Sequence, residues 1–194
     1  MPVADLLVTH AGAWGRATRS PFLDGVRDGT LPPPAFDTWL VQDAHFVGDL
    51  LRFQARLLAR APRPAQAVLA GGCGALVEEL DWFTRVAADR GLDLAAPRLP
   101  ATVAYADLLA RLDEAGVPTA LTALWAVERA YLDAWSGALP GAPAYREFVE
   151  HWTVPGFAAY VSGLETAADA AGPADDAALL RVAEAEAAFW GTAA

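Results

Sequence analysis

The chain has 194 residues, a length that suits one domain with a substantial buried core. Hydrophobic residues make up 55% of it, yet no stretch reaches the roughly 18–20 uninterrupted apolar residues of a membrane span. The net charge of −10 argues against nucleic acid or an acidic membrane surface as partner, because both demand a clustered positive face.

The opening stretch, MPVADLLVTHAGAW, lacks the basic start and apolar run of a signal peptide. With Cys73 the single cysteine, no intramolecular disulfide can form, and a cytoplasmic protein is expected. All 14 basic residues are arginine, which reads as a coding bias rather than as chemistry.

Helical periodicity recurs along most of the chain, and strand signals are almost absent. A first helix is predicted over 2–18 and a short one near 20–27, ended by DGTLPPP, whose prolines suit the start of the next helix. A long helix follows over 34–60 and stops before Pro62 and Pro64; another spans 65–90 and ends at Gly91. LDLAAPRLPAT leads to a helix near 102–115, closed by Gly116, and the next runs from Pro118 to about 137. SGALPGAP breaks it. A helix near 143–152 comes next and, past Pro155 and Gly156, one to about 171. The last covers 174–192, with Asp175 or Asp176 at its positive N-terminal end. No repeat or linker divides the chain, so residues 1–194 are expected to form one all-α bundle.

Carboxylates interrupt three of the apolar faces. The 34–60 helix carries Phe36, Trp39, Leu40, Asp43, Phe46, Val47 and Leu50 on one stripe, with Asp43 in its middle. The 118–137 helix carries Leu121, Leu124, Trp125, Glu128, Tyr131, Leu132 and Trp135, with Glu128 central. In the last helix Glu186 interrupts Leu179, Val182, Ala183, Phe189 and Trp190. A lone buried carboxylate costs several kcal/mol unless it is paired or protonated. Each could be tied structurally to an arginine, with Arg52, Arg56 and Arg129 as candidates, or capped by tyrosine and tryptophan donors. Three together, all flanked by aromatics, point instead to a shared pocket for a flat, nitrogen-rich ring.

The stretch PFLDGVRDGTLPPPAFDTWLVQDAHFVGDLLRF resembles the N-terminal signature of the TenA (thiaminase II) family: a Pro-Phe, a Gly-Thr-Leu-Pro turn, then a helix with a Gln-Asp pair and aromatics. AYADLL, ALWAVERAYLDAW and the ending EAAFW follow in the expected order. The resemblance implies a haem-oxygenase-like helical bundle. It implies an enzyme that cleaves a pyrimidine–methylene bond of thiamin or its breakdown products, releasing hydroxymethyl aminopyrimidine. Asp43 then matches the aspartate that binds the aminopyrimidine edge, Glu186 the glutamate that exchanges protons, and Tyr105 a pocket tyrosine. Phe46 and Trp152 fall where many members have tyrosines, and Tyr131 joins them as a ring-contacting residue.

One departure matters. The cysteine-bearing branch has its nucleophile on the helix matching 118–137, and here that helix has none. Cys73 lies elsewhere, beside two glycines, where a small buried residue is the plain reading. LVEELDWF and LWAVERAY resemble a second branch in which a glutamate replaces the cysteine, and Glu128 is its match. Glu79 and Asp81, beside Trp82, face either pocket or solvent. The expected chemistry is carboxylate acid–base hydrolysis of aminomethyl or formylaminomethyl pyrimidines, with Glu128 and Glu186 moving protons and their pKa values pushed apart.

No cofactor is expected. A di-iron oxidase would need several carboxylate and histidine ligands, and His10, His45 and His151 form no Glu-x-x-His pair. Haem bound through His10 is a weaker alternative, and a non-catalytic pyrimidine binder on the same fold a stronger one. The resemblance also implies a homo-oligomer.

Overall fold

The computed structural model describes residues 1–193. Among these residues ten α-helices follow one another: α1 (Asp5–Thr9), α2 (Ala11–Thr18), α3 (Pro21–Asp28), α4 (Pro33–Arg60), α5 (Arg63–Arg90), α6 (Pro100–Asp113), α7 (Val117–Gly137), α8 (Arg146–His151), α9 (Pro155–Ala171) and α10 (Asp176–Trp190). Among the described residues there is no strand, and no helix is long and apolar enough to cross a membrane.

Local chemistry sets most boundaries. Ser20 caps α3 by accepting from the Leu23 N–H, and Pro21 sits in the first turn, where its missing N–H is no loss. Pro33, Pro64, Pro100, Pro118 and Pro155 occupy the same kind of position in α4, α5, α6, α7 and α9. Gly91 ends α5 in the left-handed region at φ 68°, a conformation open to glycine at little steric cost. Asp175, rather than Asp176, is the α10 cap and accepts from Ala178 N–H at 2.9 Å.

The first helix departs from the pattern. It breaks at His10 (φ −112°, ψ 33°) into α1 and α2. Two long-range tethers hold the separated piece: Val3 N–H donates to Asp169 at 2.7 Å, and the His10 ring meets Asp176 at 3.0 Å. The helix predicted near 143–152 is likewise shorter, beginning at Arg146 after a turn that Tyr145 pins through its hydroxyl to the Leu31 carbonyl.

α4 packs along α5 and α6, α7 along α9 and α10, and α10 reaches both α2 and α6. Aromatic side chains fill the space between. Trp39 stacks on Trp190 at 5.7 Å, and Trp135 lies 4.4 Å from Trp152. Trp190 donates its indole N–H to the Ala17 carbonyl, fastening α10 to α2. Each such residue removes a large apolar area from water, which is the main driving force for docking amphipathic helices.

Candidate active site

The apolar stripes of α4, α7 and α10 converge, and the carboxylates within them converge too. Asp43 is 0% exposed, Glu186 2% and Glu128 6%. Among the described residues none is paired with an arginine. Arg52 bonds Asp49, Arg56 bonds Asp113, and Arg129 reaches Asp133 and Glu165, all toward the surface. Burying a guanidinium would cost several kcal/mol beyond the carboxylate it met, whereas at the rim it keeps its water.

Tyrosines from other helices take that place. Tyr131 donates to Asp43 Oδ2 at 2.7 Å, and Tyr105 donates to Glu186 Oε1 at 2.5 Å. The Tyr160 hydroxyl lies 3.4 Å from Glu128 Oε1 and 3.0 Å from Gln54 Oε1. Asp43 Oδ1 has no partner among the described residues. Each carboxyl group is thus met by a tyrosine hydroxyl, which donates to Asp43 and to Glu186.

Burial dominates the electrostatics. It pushes Glu128 up to about 8, assisted by the charge of Glu79, and pushes Glu186 up to about 8 against the opposing hydrogen bond from Tyr105. Asp43 is raised well above the usual carboxylate range by burial, although Tyr131 works the other way. The expected separation of the two glutamates is thus not produced by burial, which raises both alike.

A cavity of roughly 670 Å³ opens beside this cluster. Phe46, Val47 and Leu50 of α4, Glu79 and Trp82 of α5, Glu128 and Tyr131 of α7, and Phe157 and Tyr160 of α9 form its wall, with His151 and Trp152. Size and an aromatic lining with few polar groups suit a flat small molecule. Asp43, Tyr105 and Glu186 are not on the wall. They sit one layer behind it: Tyr131 links the wall to Asp43, and Phe46 packs on Tyr105 at 4.6 Å. Tyr105, expected as a pocket tyrosine, is thus placed behind Phe46 with its hydroxyl on Glu186.

Glu79 faces the cavity, whereas Asp81 is exposed to solvent. Glu79 Oε1 accepts the Trp152 indole N–H at 2.7 Å, and its Oε2 meets His151 at 2.9 Å. His151 stacks on Trp82, with ring centroids 4.1 Å apart. The other histidines stand apart: His10 with Asp176, His45 with the Ala96 carbonyl. Among the described residues no group of three or more histidine, cysteine or acidic side chains is arranged to hold a metal ion. Cys73 is half-buried on α5, its thiol pKa raised by burial, and does not line the cavity.

Sequence reading missed Tyr160 and Gln54. Tyr160 follows Phe157 by three residues on α9, which marks a shared face and no more. Gln54 is fully buried and bonds the Leu69 carbonyl at 2.9 Å, and nothing in its local pattern announces that.

Residues 9–194 match the model of the TENA/THI-4/PQQC family. A Glycine max protein named "Probable bifunctional TENA-E protein" is 30% identical over 95% of this chain and 89% of its own. A TenA homologue from Pyrococcus furiosus superposes with a TM-score of 0.92 at 26% identity, covering 98% of both chains. A second TenA homologue, from P. horikoshii OT3, gives 0.87 at 23% identity over 100% of this chain and 98% of its own. The fold is that of TenA proteins, the haem-oxygenase-like helical bundle.

Proposed function

Because the chain belongs to the TENA/THI-4/PQQC family, whose thiaminase-like members act in thiamin salvage, we propose that it is a cysteine-independent aminopyrimidine hydrolase. Its substrates on this reading are aminomethyl or formylaminomethyl pyrimidines derived from thiamin, and its product is hydroxymethylpyrimidine. The soybean relative's TENA-E name supports the branch without a catalytic cysteine, as does a α7 helix that presents Glu128 in its place.

One observation carries the reading: of three buried carboxyl groups, each met by a tyrosine, Glu128 is on the wall of an aromatic cavity and Asp43 and Glu186 stand one layer behind it, and Asp43 Oδ1 has no partner among the described residues. A buried acceptor without a donor costs about 1–3 kcal/mol, and an amino group on the ligand would relieve it. Asp43 would take the pyrimidine amino group or a ring N–H and draw charge into the ring. Phe46, Tyr131 and Trp152 would enclose the ring plane.

In the reaction, a water oxygen bonds to the exocyclic methylene carbon as the carbon–nitrogen bond breaks. One glutamate takes the proton that the water loses, and another gives a proton to the departing amine. The groups gain their force from a site already desolvated, where their positions are fixed before the substrate arrives.

The test is product analysis after incubation with aminomethyl pyrimidine, its N-formyl derivative and thiamin, for wild type and Glu186→Gln. Hydroxymethyl product from wild type but not from the variant supports the hydrolase. Saturable binding with no product from any of the three makes the protein a carrier instead.

A further inference from the structure

Burial raises Glu128 and Glu186 alike, so burial does not tell acid from base. Their tyrosine partners do. A phenol has one proton to give, and where it goes sets what the neighbouring carboxyl must be.

Tyr105 has Glu186 Oε1 as its acceptor at 2.5 Å. Burial and the nearby carboxylates hold the phenol pKa well above its usual value, so it keeps its proton and donates it. Glu186 receives a donor, which favours its ionised form.

Tyr160 is placed differently. Its hydroxyl is 3.0 Å from Gln54 Oε1 and 3.4 Å from Glu128 Oε1. The Gln54 amide has its orientation fixed at the other end, where Nε2 donates to the Leu69 carbonyl at 2.9 Å. Turning the amide over would set two carbonyl oxygens against each other. Gln54 therefore shows Tyr160 only an acceptor, and at the shorter distance it takes the hydroxyl proton. What Tyr160 turns toward Glu128 is a lone pair. For that contact to be favourable, Glu128 must supply the hydrogen.

The helices are brought close for this arrangement. A Cβ at Gly72 would collide with both Gln54 Nε2 and the Tyr160 hydroxyl, so only glycine on α5 admits them together. The ionisable groups acting on Glu128 are Glu79 on α5, Tyr160 on α9 and Glu186 on α10, and Glu128 in turn acts on Tyr105 of α6. Arg85 of α5 and His151 of α8 line the same cavity, His151 bonded to Glu79.

We infer that the Gln54–Tyr160 pair is a positioning device that holds Glu128 protonated, making Glu128 the acid for the departing amine and Glu186 the base toward water. The assignment rests on the hydrolase reading for its chemistry. Glu128 is the one of the two glutamates on the cavity wall.

The experiment is an infrared pH titration of the intact protein, following the C=O stretch of protonated carboxyl groups. The band assigned to Glu128 is the one lost in Glu128→Gln. Gln54→Met removes the acceptor and frees the Tyr160 proton to turn to Glu128. The titration midpoint then falls by about one pH unit or more, a tenfold change in the protonation equilibrium. Tyr160→Phe gives a second readout by sign. The midpoint falls if the hydroxyl accepts from Glu128 and rises if it donates. In turnover, the alkaline limb of kcat moves down in Gln54→Met with KM little changed, whereas a merely structural role lowers kcat at every pH. An unchanged midpoint in Gln54→Met, or a raised one in Tyr160→Phe, overturns the inference. Because the infrared band needs no turnover, absence of product would refute the hydrolase reading and leave this result standing.

Discussion

Tyr131 and Asp43 form a half-finished pair: the tyrosine donates to Oδ2 at 2.7 Å, while Oδ1, also buried, receives nothing from the described residues. The pair joins α7 to α4 across 88 residues of sequence, and it leaves one free acceptor a layer behind the wall of an aromatic cavity that Tyr131 lines. That acceptor is the feature most specific to an amino-substituted ring.

Replacing Asp43 by Asn keeps the shape and exchanges the carboxyl for an amide. A mismatched buried hydrogen-bonding group costs about 1–3 kcal/mol, so affinity for hydroxymethyl aminopyrimidine should fall by roughly five- to a hundredfold. Isothermal titration calorimetry measures this, and full retained affinity would remove Asp43 from ring recognition.

Glu186→Gln should lower kcat by about 10²–10⁴-fold, the range for loss of one acid–base group, with KM moved much less. Tyr105→Phe takes away the hydrogen bond that favours the ionised form of Glu186. Its kcat should fall less, about tenfold. The pH at which Glu186 gains its proton should rise. Steady-state kinetics across pH separate the two effects.

Stability should decline as pH rises through the neutral range. Glu128 and Glu186 bind protons more tightly folded, at about 8, than in an unfolded chain, where 4.5 applies. Below about 4.5 both states are protonated and this contribution is fully present. Between 4.5 and 8 the unfolded chain has released its protons and the folded one has not, so stability falls by at most about 1.4 kcal/mol per pH unit for each group. Glu128→Gln removes one of these slopes. Its melting temperature should exceed that of wild type at pH 8 by more than it does at pH 5, as read by thermal denaturation at both values.

Gly72→Ala inserts a methyl group where Gln54 and Tyr160 already meet. Overpacking of this kind costs about 1–3 kcal/mol. Because the displaced groups are those around Glu128, turnover should fall further than the loss of folded protein explains. Comparing activity per folded molecule with denaturant midpoints tests this.

Much of the fold was legible because helices announce themselves locally. Prolines in first turns, Gly91 past the end of α5 and the three-and-four spacing of apolar residues are properties of neighbouring residues, and the boundaries they suggest lie within a few residues of those observed. The break at His10 was not legible, since its tethers, Asp169 and Asp176, lie more than 160 residues away. By the same local logic the sequence determined that Asp43, Glu128 and Glu186 would be buried, because each occupies a position on an apolar stripe whose face the helical period dictates.

Which groups those carboxylates would meet was decided only by tertiary structure. The arginines close in sequence turned outward to surface acids, since a guanidinium keeps its hydration there. The partners came instead from tyrosines 81, 88 and 32 residues away on α6, α7 and α9. Sequence period sets the face a side chain occupies on its own helix. How helices are shifted and rotated against one another sets which atoms come within 3 Å, and that depends on the packing of the whole core. Glu79 on the cavity wall, Asp43 behind it, and a tyrosine proton directed to Gln54 all belong to that second kind of information.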